Sequence, residues 1–331
     1  MRQFIIKQVD AFTTKPFSGN PAGVVTDADG LSVEMMQRIA SEMNLTENAF
    51  VSLSDSEDAR FQIKFFTPSN ELDLSVHAII AACFALIEDG VIKLDDEIKR
   101  VCFETNAGNI PVNIYFDKNH TSEISDNDRN RVVLTVDGKK IGALKKIMTQ
   151  KSIQRYSPAD VTVKEIAGIL GIDESEILGT GLPLELISSG LSQFIIPVNN
   201  KESIINMHPD MIKLNLMNRK YGIQTNDIFT LDSINPDCIA YSRHFSPAIG
   251  LWEETGSGAA AASIGTYLFR HGVITSGSVV MEQGGEIENL ARILVEIDQA
   301  GGETGSVWTG GLAVTSITRE LDIENDEILI T

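Results

Sequence analysis

Two halves of the sequence carry the same landmarks in the same order, and this internal repeat constrains the fold more than any other feature. The first copy opens with TENAFV at residues 46–51, and the second opens with TNDIFT at residues 225–230. A Phe-x-Pro triplet follows in each copy, at residues 66–68 and 245–247. Such a repeat is typical of a chain built from two copies of one structural unit.

The repeat continues into a helix in each copy. A short acidic loop, at residues 71–74 or 251–254, leads into a run of small residues, SVHA at 75–78 or TGSG at 255–258. The segments that follow are rich in alanine, and each ends before a glycine. We therefore expect two similar lobes that are related by a pseudo-two-fold axis.

The spacing of apolar residues predicts a mixed fold. Leu31, Met35, Ile39 and Met43 lie four apart, which predicts one buried face of a helix that begins at Ser32. Short strand-like runs alternate with such helices, but without the regular spacing of βαβ units. The predicted fold class is α+β rather than a doubly wound parallel sheet.

One segment is typical of a linker or an exposed loop. Residues 117–131 read DKNHTSEISDNDRNR and are almost wholly polar. We place a first lobe at residues 1–125, with Glu47 and His77, and a second lobe at residues 126–331. The last strand of the second range could cross back to the first lobe.

Length and composition indicate an ordinary globular chain. Its 331 residues are 43% hydrophobic and 22% charged, which excludes general disorder and a coiled coil. The net charge of −19 argues against binding to nucleic acid or to an anionic membrane. Three scattered cysteines predict neither a disulfide framework nor a structural zinc. Without a signal peptide or a membrane-length apolar run, the expected location is the cytoplasm.

The small-residue helix starts are candidate anion sites. Glycines allow the backbone to approach a ligand closely, and the amides at a helix N-terminus bind anions. Two such N-termini facing each other would form a cleft for a small carboxylate. The alternative for TGSG at 255–258 is a plain N-cap, because helix caps favour the same residue types. Neither a P-loop nor a GxGxxG dinucleotide fingerprint occurs.

Glu47 and His77 are the candidate proton-transfer residues. Partial burial of Glu47 would raise its pKa toward the range useful in acid–base catalysis; the alternative is a solvated loop glutamate. His77 could donate to a substrate oxygen or relay a proton, or its neighbours could simply pack around it. Glu47 aligns with Asn226 in the repeat, which indicates one carboxylate base rather than a symmetric pair. The alternation of side chains along its predicted strand is equally compatible with His244 facing the cleft and with His244 pointing away from it.

These segments resemble the PhzF-like isomerases of the diaminopimelate epimerase superfamily. The most specific match is VDAFTTKPFSGNPAGVV at residues 9–25, followed by EMNLTENAF at 42–50 and FFTP at 65–68. Looser matches are SSGL at 188–191 and the segment from Arg243 to Ala262. The resemblance implies two α+β lobes, each a barrel-like sheet around a central helix, with the active site in the cleft between them. It also implies a homodimer.

The resemblance also implies roles for individual residues. Glu47 matches the acid/base glutamate that moves a proton between two substrate carbons without a cofactor. His77 matches the active-site histidine, and Ser257 matches the serine of a second-lobe TGS motif. Backbone amides at the two helix starts, at residues 76–77 and 256–257, would hold a carboxylate or a developing enolate. The expected substrate-binding residues are Asn20, Ser75, Val76, Thr255, Gly256 and Gly258.

The sequence departs from the family pattern at three places. Val76 stands where the family has a glycine before the histidine, and its side chain could narrow the cleft. The family motif EDPxTGS reads LWEETGS at 251–257, so Glu253 or Glu254 could substitute for the aspartate, or Trp252 could fill its place. A later glycine-arginine motif is absent after Gly284.

Superfamily members that epimerise amino acids use two cysteines, one at each helix start. This chain has Ser75 and Thr255 there, and a hydroxyl is a far weaker acid than a thiol. We therefore expect a cofactor-independent, phenazine biosynthesis-like isomerase that acts on a small carboxylate-bearing metabolite and binds no metal. The alternatives are an amino-acid epimerase or racemase, and a catalytically inactive homologue that only binds a small molecule.

Overall fold

The computed structural model describes residues 2–120, 130–151, 155–188, 190–275, 277–300, 303–324 and 327–330. Most of the polar segment predicted as a linker lies outside these residues, as does the lobe boundary expected after residue 125. The chain forms two compact units. The first comprises Met1–Thr149 and Gly310–Thr331, and the second comprises Gln150–Thr309.

The first unit contains two helices among its described residues, and most of its strands precede the division of the chain. The helices are α1 (Val33–Met43) and α2 (Val76–Glu88). The strands are β1 (Arg2–Ala11), β2 (Asn20–Val25), β3 (Glu47–Leu53), β4 (Phe61–Phe66), β5 (Glu71–Leu72), β6 (Ile98–Thr105), β7 (Gly108–Asp117), β8 (Val132–Val136), β9 (Lys139–Lys151), and, after the second unit, β19 (Ala313–Glu324) and β20 (Glu327–Ile330).

The second unit contains the remaining elements of the described chain. Its helices are α3 (Val163–Leu170), α4 (Glu174–Leu178), α5 (Lys201–Ile205), α6 (Met211–Tyr221) and α7 (Gly258–Arg270). Its strands are β10 (Arg155–Pro158), β11 (Glu185–Ser188), β12 (Ser192–Pro197), β13 (Thr225–Thr230), β14 (Ala240–Ser246), β15 (Leu251–Glu254), β16 (Gly277–Gln283), β17 (Ala291–Ala300) and β18 (Glu303–Gly311).

Helix α2 is the core of the first unit. Every residue from Val76 to Ile87 is buried, and the helix packs against β1, β2, β3, β8 and β19. A helix that is apolar on all sides must be surrounded by protein, which agrees with its contacts to five strands. On the other face of this sheet, α1 packs Met35 and Ile39 against Phe50 and Phe66. Helix α1 begins after Ser32, as its apolar spacing predicted.

Helix α7 occupies the same position in the second unit. It contacts β12, β13 and β17, and alanines, serine, threonine and glycine let these strands approach it. The outer face of the sheet is covered by α3, α4, α5 and α6, which bury residues such as Leu170, Ile204 and Leu214 against Phe194. The predicted α+β class and the central helices are confirmed. The described strand pairings form an open series in each unit rather than a closed barrel.

The internal repeat is a repeat of strand connectivity. In the first unit, β1, β2, β3, β4, β6 and β7 pair in that order. In the second unit, β11, β12, β13, β14, β16 and β17 pair in the same order and with the same sequence of parallel and antiparallel contacts. The central helix follows the fourth strand of each series. Each copy is thus one complete supersecondary unit.

The strand register corrects the residue alignment of the two copies. Asn48 pairs with Phe66 and donates from Nδ2 to its carbonyl oxygen, and Asn226 does the same with Phe245. The two asparagines are therefore equivalent, and Glu47 corresponds to Thr225 rather than to Asn226. The sequence alignment was wrong by one residue, because it matched the threonines that begin each segment.

The parallel contact of β2 with β3 requires glycine at position 23. Gly23 lies beside Asn48 in the register, and a Cβ atom at Gly23 would lie 2.1 Å from Asn48 Oδ1. Asn48 is fully buried and holds the Phe66 carbonyl, so its side chain has little room to move. This close approach fixes the strand whose first residue is Glu47.

We expect Gly23→Ala to lower the free energy of unfolding by about 1–3 kcal/mol, because the added methyl must displace a buried side chain. Gly168→Ala is the matched control. Gly168 is exposed within α3 with open space around its Cα, so alanine there should be neutral or raise stability by up to about 1 kcal/mol. Urea unfolding followed by circular dichroism measures both; equal effects would contradict the packing at Gly23.

Candidate functional site

Glu47 and His77 lie together in the first unit. Glu47 begins β3, and His77 is the second residue of α2. Both are buried, and His77 Nδ1 lies 3.5 Å from Glu47 Oε2. This distance exceeds that of an ordinary hydrogen bond but is within ion-pair range. The structure therefore brings together the two residues that the sequence singled out for proton transfer.

Ser75 is the N-cap of α2. Its hydroxyl oxygen accepts from the Ala78 amide at 3.3 Å and lies 3.5 Å from His77 Nδ1. Val76 is the first helical residue and is buried. Because the cap holds one first-turn amide and the neighbouring histidine, Ser75 both starts the helix and restrains the ring of His77.

The loop before β2 is held by a buried carboxylate. Asp10 Oδ2 accepts from the Phe17 amide at 2.6 Å, and Oδ1 accepts from Gln8 Nε2 at 3.3 Å. Burial raises the pKa of Asp10, although the Phe17 hydrogen bond opposes this shift. The loop leads into Asn20, which begins β2 and is buried.

The helix start of the second unit is also capped by a serine. Ser257 Oγ accepts from the Ala260 amide at 3.3 Å. The Ser257 amide in turn donates to Gln283 Oε1 at 3.2 Å. Gly256 and Gly258 are buried and Thr255 is exposed. The plain N-cap that the sequence left open is thus present at Ser257.

A buried histidine network in the second unit was missed by sequence reasoning. The ring of His244 lies between Asp227, whose Oδ1 contacts Nδ1, and Ser246, whose Oγ lies 2.7 Å from Nε2. Glu254 Oε2 lies 3.6 Å from the same Nε2. Burial disfavours the charged ring, but the charge and hydrogen bond of Asp227 outweigh it, with help from Glu254 and Glu253, and raise the pKa of His244.

Comparisons with known proteins place this architecture in one family. The family model described as phenazine biosynthesis-like protein (PhzC-PhzF) matches residues 9–319. The chain belongs to this family. An uncharacterized isomerase of Clostridium acetobutylicum is 31% identical over 327 residues, which cover 97% of this chain and 99% of that protein.

Two further proteins extend the similarity. The trans-2,3-dihydro-3-hydroxyanthranilate isomerase of Pseudomonas aeruginosa is 28% identical over 320 residues, covering 94% of this chain and 96% of that protein. The crystal structure of a PhzF-family phenazine biosynthesis protein of Bacillus anthracis superposes with a TM-score of 0.81 at 26% identity, covering 98% and 100% of the two chains. The expected family and the isomerase class are confirmed.

The structure of this PhzC-PhzF member shows what surrounds the residues at 252–254, where the sequence departs from the family motif. Glu253 forms a bidentate ion pair with Arg243, at 2.7 and 2.8 Å, and Trp252 is 66% exposed. Glu254 instead lies near a buried histidine: its Oε2 atom is 3.6 Å from His244 Nε2.

The N-caps also correct the residue alignment between the start of α2 and the start of α7. Ser75 and Ser257 each precede a helix of 13 residues and cap its third amide. Ser75 is therefore equivalent to Ser257, and the alignment with Thr255 was wrong by two residues. The hydrogen bonds of the two N-caps therefore show which residues of the two helix starts are equivalent, whereas the runs of small residues gave the wrong alignment.

Among the described helices of this family member, none is long and apolar enough to cross a membrane.

We expect Ser75→Ala and Ser257→Ala each to lower the free energy of unfolding by about 1 kcal/mol, because each removes the acceptor for a buried first-turn amide. Ser41→Ala is the control: Ser41 is exposed in the last turn of α1 and is not a cap residue of that helix, so alanine should not destabilise there. Chemical denaturation measures all three. Losses no larger than that of the control would contradict the capping role.

We expect His244 to titrate above the ordinary histidine pKa of about 6.5 in an NMR pH series. Its imidazole signal should disappear in His244→Gln, and its pKa should fall in Asp227→Asn, because the neighbouring negative charge is removed. Since the folded state holds this proton more tightly, protonation stabilises the fold. That stabilisation is full below about pH 6.5 and is lost as pH rises through the folded-state pKa. A His244 pKa below 6.5 would contradict the ion pair.

Proposed function

We propose that this protein is a cofactor-independent isomerase that moves a proton within a small carboxylate-bearing metabolite, with Glu47 as the acid/base. The observation that carries the proposal is the buried pair of Glu47 and His77, whose Oε2 and Nδ1 atoms are 3.5 Å apart. A buried carboxylate beside an imidazole is a suitable general base, because both partners can change protonation state without leaving the site.

The reaction needs one carboxylate. Glu47 takes a proton from a saturated carbon that lies next to an electron-withdrawing group, and the released electron pair enters the conjugated system of the substrate. The carboxylic acid formed on Glu47 then returns the proton to a second carbon of that system. The double bond has moved, and no atom has been gained or lost. With a proton on Nδ1, His77 orients the carboxylate during both steps.

The substrate class follows from the relatives and from the helix starts. The Pseudomonas aeruginosa relative is named for isomerising trans-2,3-dihydro-3-hydroxyanthranilate, which carries a ring carboxylate. We propose a small carboxylic acid of this kind for the present chain. Capped helix N-termini after Ser75 and Ser257 favour negative charge nearby, which supports the binding of a carboxylate.

The chemistry of the two caps argues against a two-base epimerase. Ser75 and Ser257 are the equivalent cap residues, and the hydroxyl oxygen of each accepts a hydrogen bond from a backbone amide. Inversion at a carbon needs an acid on one face and a base on the other, and an alcohol is too weak an acid to exchange with a carbon-bound proton. We therefore place proton transfer on Glu47 instead.

We expect the wild-type protein in D2O to incorporate deuterium into trans-2,3-dihydro-3-hydroxyanthranilate, or into another member of a panel of small unsaturated carboxylic acids, as its double bond moves. Glu47→Gln should slow incorporation by at least about 100-fold, because the amide cannot accept the proton. Proton NMR follows both the label and the double bond.

Glu42→Gln is the matched control, because Glu42 is an exposed carboxylate on α1 and should leave the rate unchanged. Label that appears with inversion of a stereocentre and without double-bond movement would favour an epimerase. Stabilisation of the protein by acids of the panel, with no exchange for any of them, would overturn the isomerase proposal in favour of a binding protein.

A further inference from the structure

A groove lies within the second unit between helix α6 and the turn that follows β14. Its volume is about 230 Å³. One wall is the exposed side of α6, and the other comes from the turn Pro247–Ile249 and from β15. The residues that line the groove include Ile212, Asn215, Leu216, Arg219, Pro247 and Trp252. The proposed isomerisation gives none of them a role, so the groove is a separate feature of the molecule.

The internal repeat shows why this groove is open. Helices α1 and α6 both have 11 residues and end five positions before the equivalent asparagines, so Gln37 in α1 corresponds to Asn215 in α6. In the first unit, Gln37 Nε2 donates to the carbonyl oxygen of Thr67 at 2.9 Å and joins α1 to the Phe-x-Pro turn. Asn215 is one methylene shorter, and its Oδ1 accepts from Arg219 Nε at 3.3 Å instead. In the described chain, Asn215 therefore makes no corresponding hydrogen bond to the turn.

The exposed side of α6 is apolar where that of α1 is charged. Ile212 and Leu216 are 71% and 63% exposed, and they occupy the positions of Glu34 and Arg38, which are exposed on α1. Trp252, on the opposite wall of the groove, is 66% exposed. A single exposed apolar side chain is ordinary, but three around one groove are typical of a binding surface.

Arg219 supplies the charge at this groove. It is the one charged residue among the described residues that line it. Its Nε donates to Asn215, which leaves the N–H groups of Nη1 and Nη2 for other acceptors, and the described ion pairs include none for Arg219. Glu253, the carboxylate beside Trp252, is already bound on both oxygens by Arg243. Two parallel N–H donors on an arginine match the geometry of a carboxylate, so the groove favours an acid.

We propose that this groove binds a single-ring aromatic carboxylate, with the ring between Trp252 and the apolar side of α6 and the carboxylate on Nη1 and Nη2 of Arg219. The indole favours an aromatic partner, because two rings gain more from contact than their buried area alone gives. The volume is below the range of about 300–1,000 Å³ that is usual for sites of drug-sized ligands, which limits the ligand to one ring. The binding changes no covalent bond and goes beyond the proposed isomerisation.

The test is an NMR titration of the full-length protein with benzoate, which has one ring and one carboxylate. The sequence has two tryptophans, so the indole N–H signal of Trp252 is the one that disappears in Trp252→Phe. We expect this signal to move as benzoate binds, with a Kd of about 1 mM or lower. Benzyl alcohol lacks the charge and acetate lacks the ring, so each should bind at least about tenfold more weakly.

Two variants on α6 separate the arginine contact from a general effect of charge. Arg219→Gln should raise the Kd for benzoate at least about tenfold, because it removes the charged donors. Lys213→Gln is the matched control: Lys213 is an exposed cation on the same helix, lies outside the groove and pairs with Asp210 at 2.9 Å. Its loss should change the Kd by no more than about twofold. Circular dichroism confirms that both variants are folded.

Three outcomes would overturn the proposal. The first is an indole signal of Trp252 that does not move up to about 10 mM benzoate. The second is a Kd for Arg219→Gln equal to that of the wild type, which would place the carboxylate elsewhere. The third is a wild-type protein that self-associates in sedimentation and a Leu216→Lys variant that does not, which would assign this face to a second copy of the chain. None of these measurements uses isomerisation, so their result is independent of the proposed function.

Discussion

The structure depends on burying two helices completely. Helix α2 has no solvent-facing side, so its first amides cannot rely on bulk water and need partners supplied by the protein. Ser75 supplies one such partner, and Ser257 does the same for α7. His77 lies within the buried start of α2, and Glu254 lies three residues before the cap of α7.

The two units use one architecture for different electrostatic purposes. In the strand register, His244 occupies the position of Phe65, and Asp227 occupies the position of Ala49. The first unit therefore fills this place with apolar side chains, whereas the second fills it with a hydrogen-bonded polar network. A repeat fixes the backbone but leaves each copy free to change the side chains on one face of a strand.

The sequence was sufficient to predict the elements but not their exact equivalence. Apolar spacing located α1, and small residues marked the starts of α2 and α7, because these are local patterns. The alignment of Glu47 failed because the equivalent asparagines, Asn48 and Asn226, lie 18 and 19 residues before the phenylalanines with which they pair. The His244 network could not be foreseen, since Gln193 and Ser263 lie 70 residues apart and meet only through packing of α7 on the sheet.

The exposure of Trp252 has a practical consequence. It stands two residues before Glu254 on β15 and is 66% exposed, whereas Glu254 is buried. The sequence has only one other tryptophan, Trp308, which is half-buried. Replacing Trp308 with phenylalanine would therefore leave Trp252 on β15 as the single tryptophan fluorophore. The fluorescence of that variant would report changes in the solvent exposure of β15.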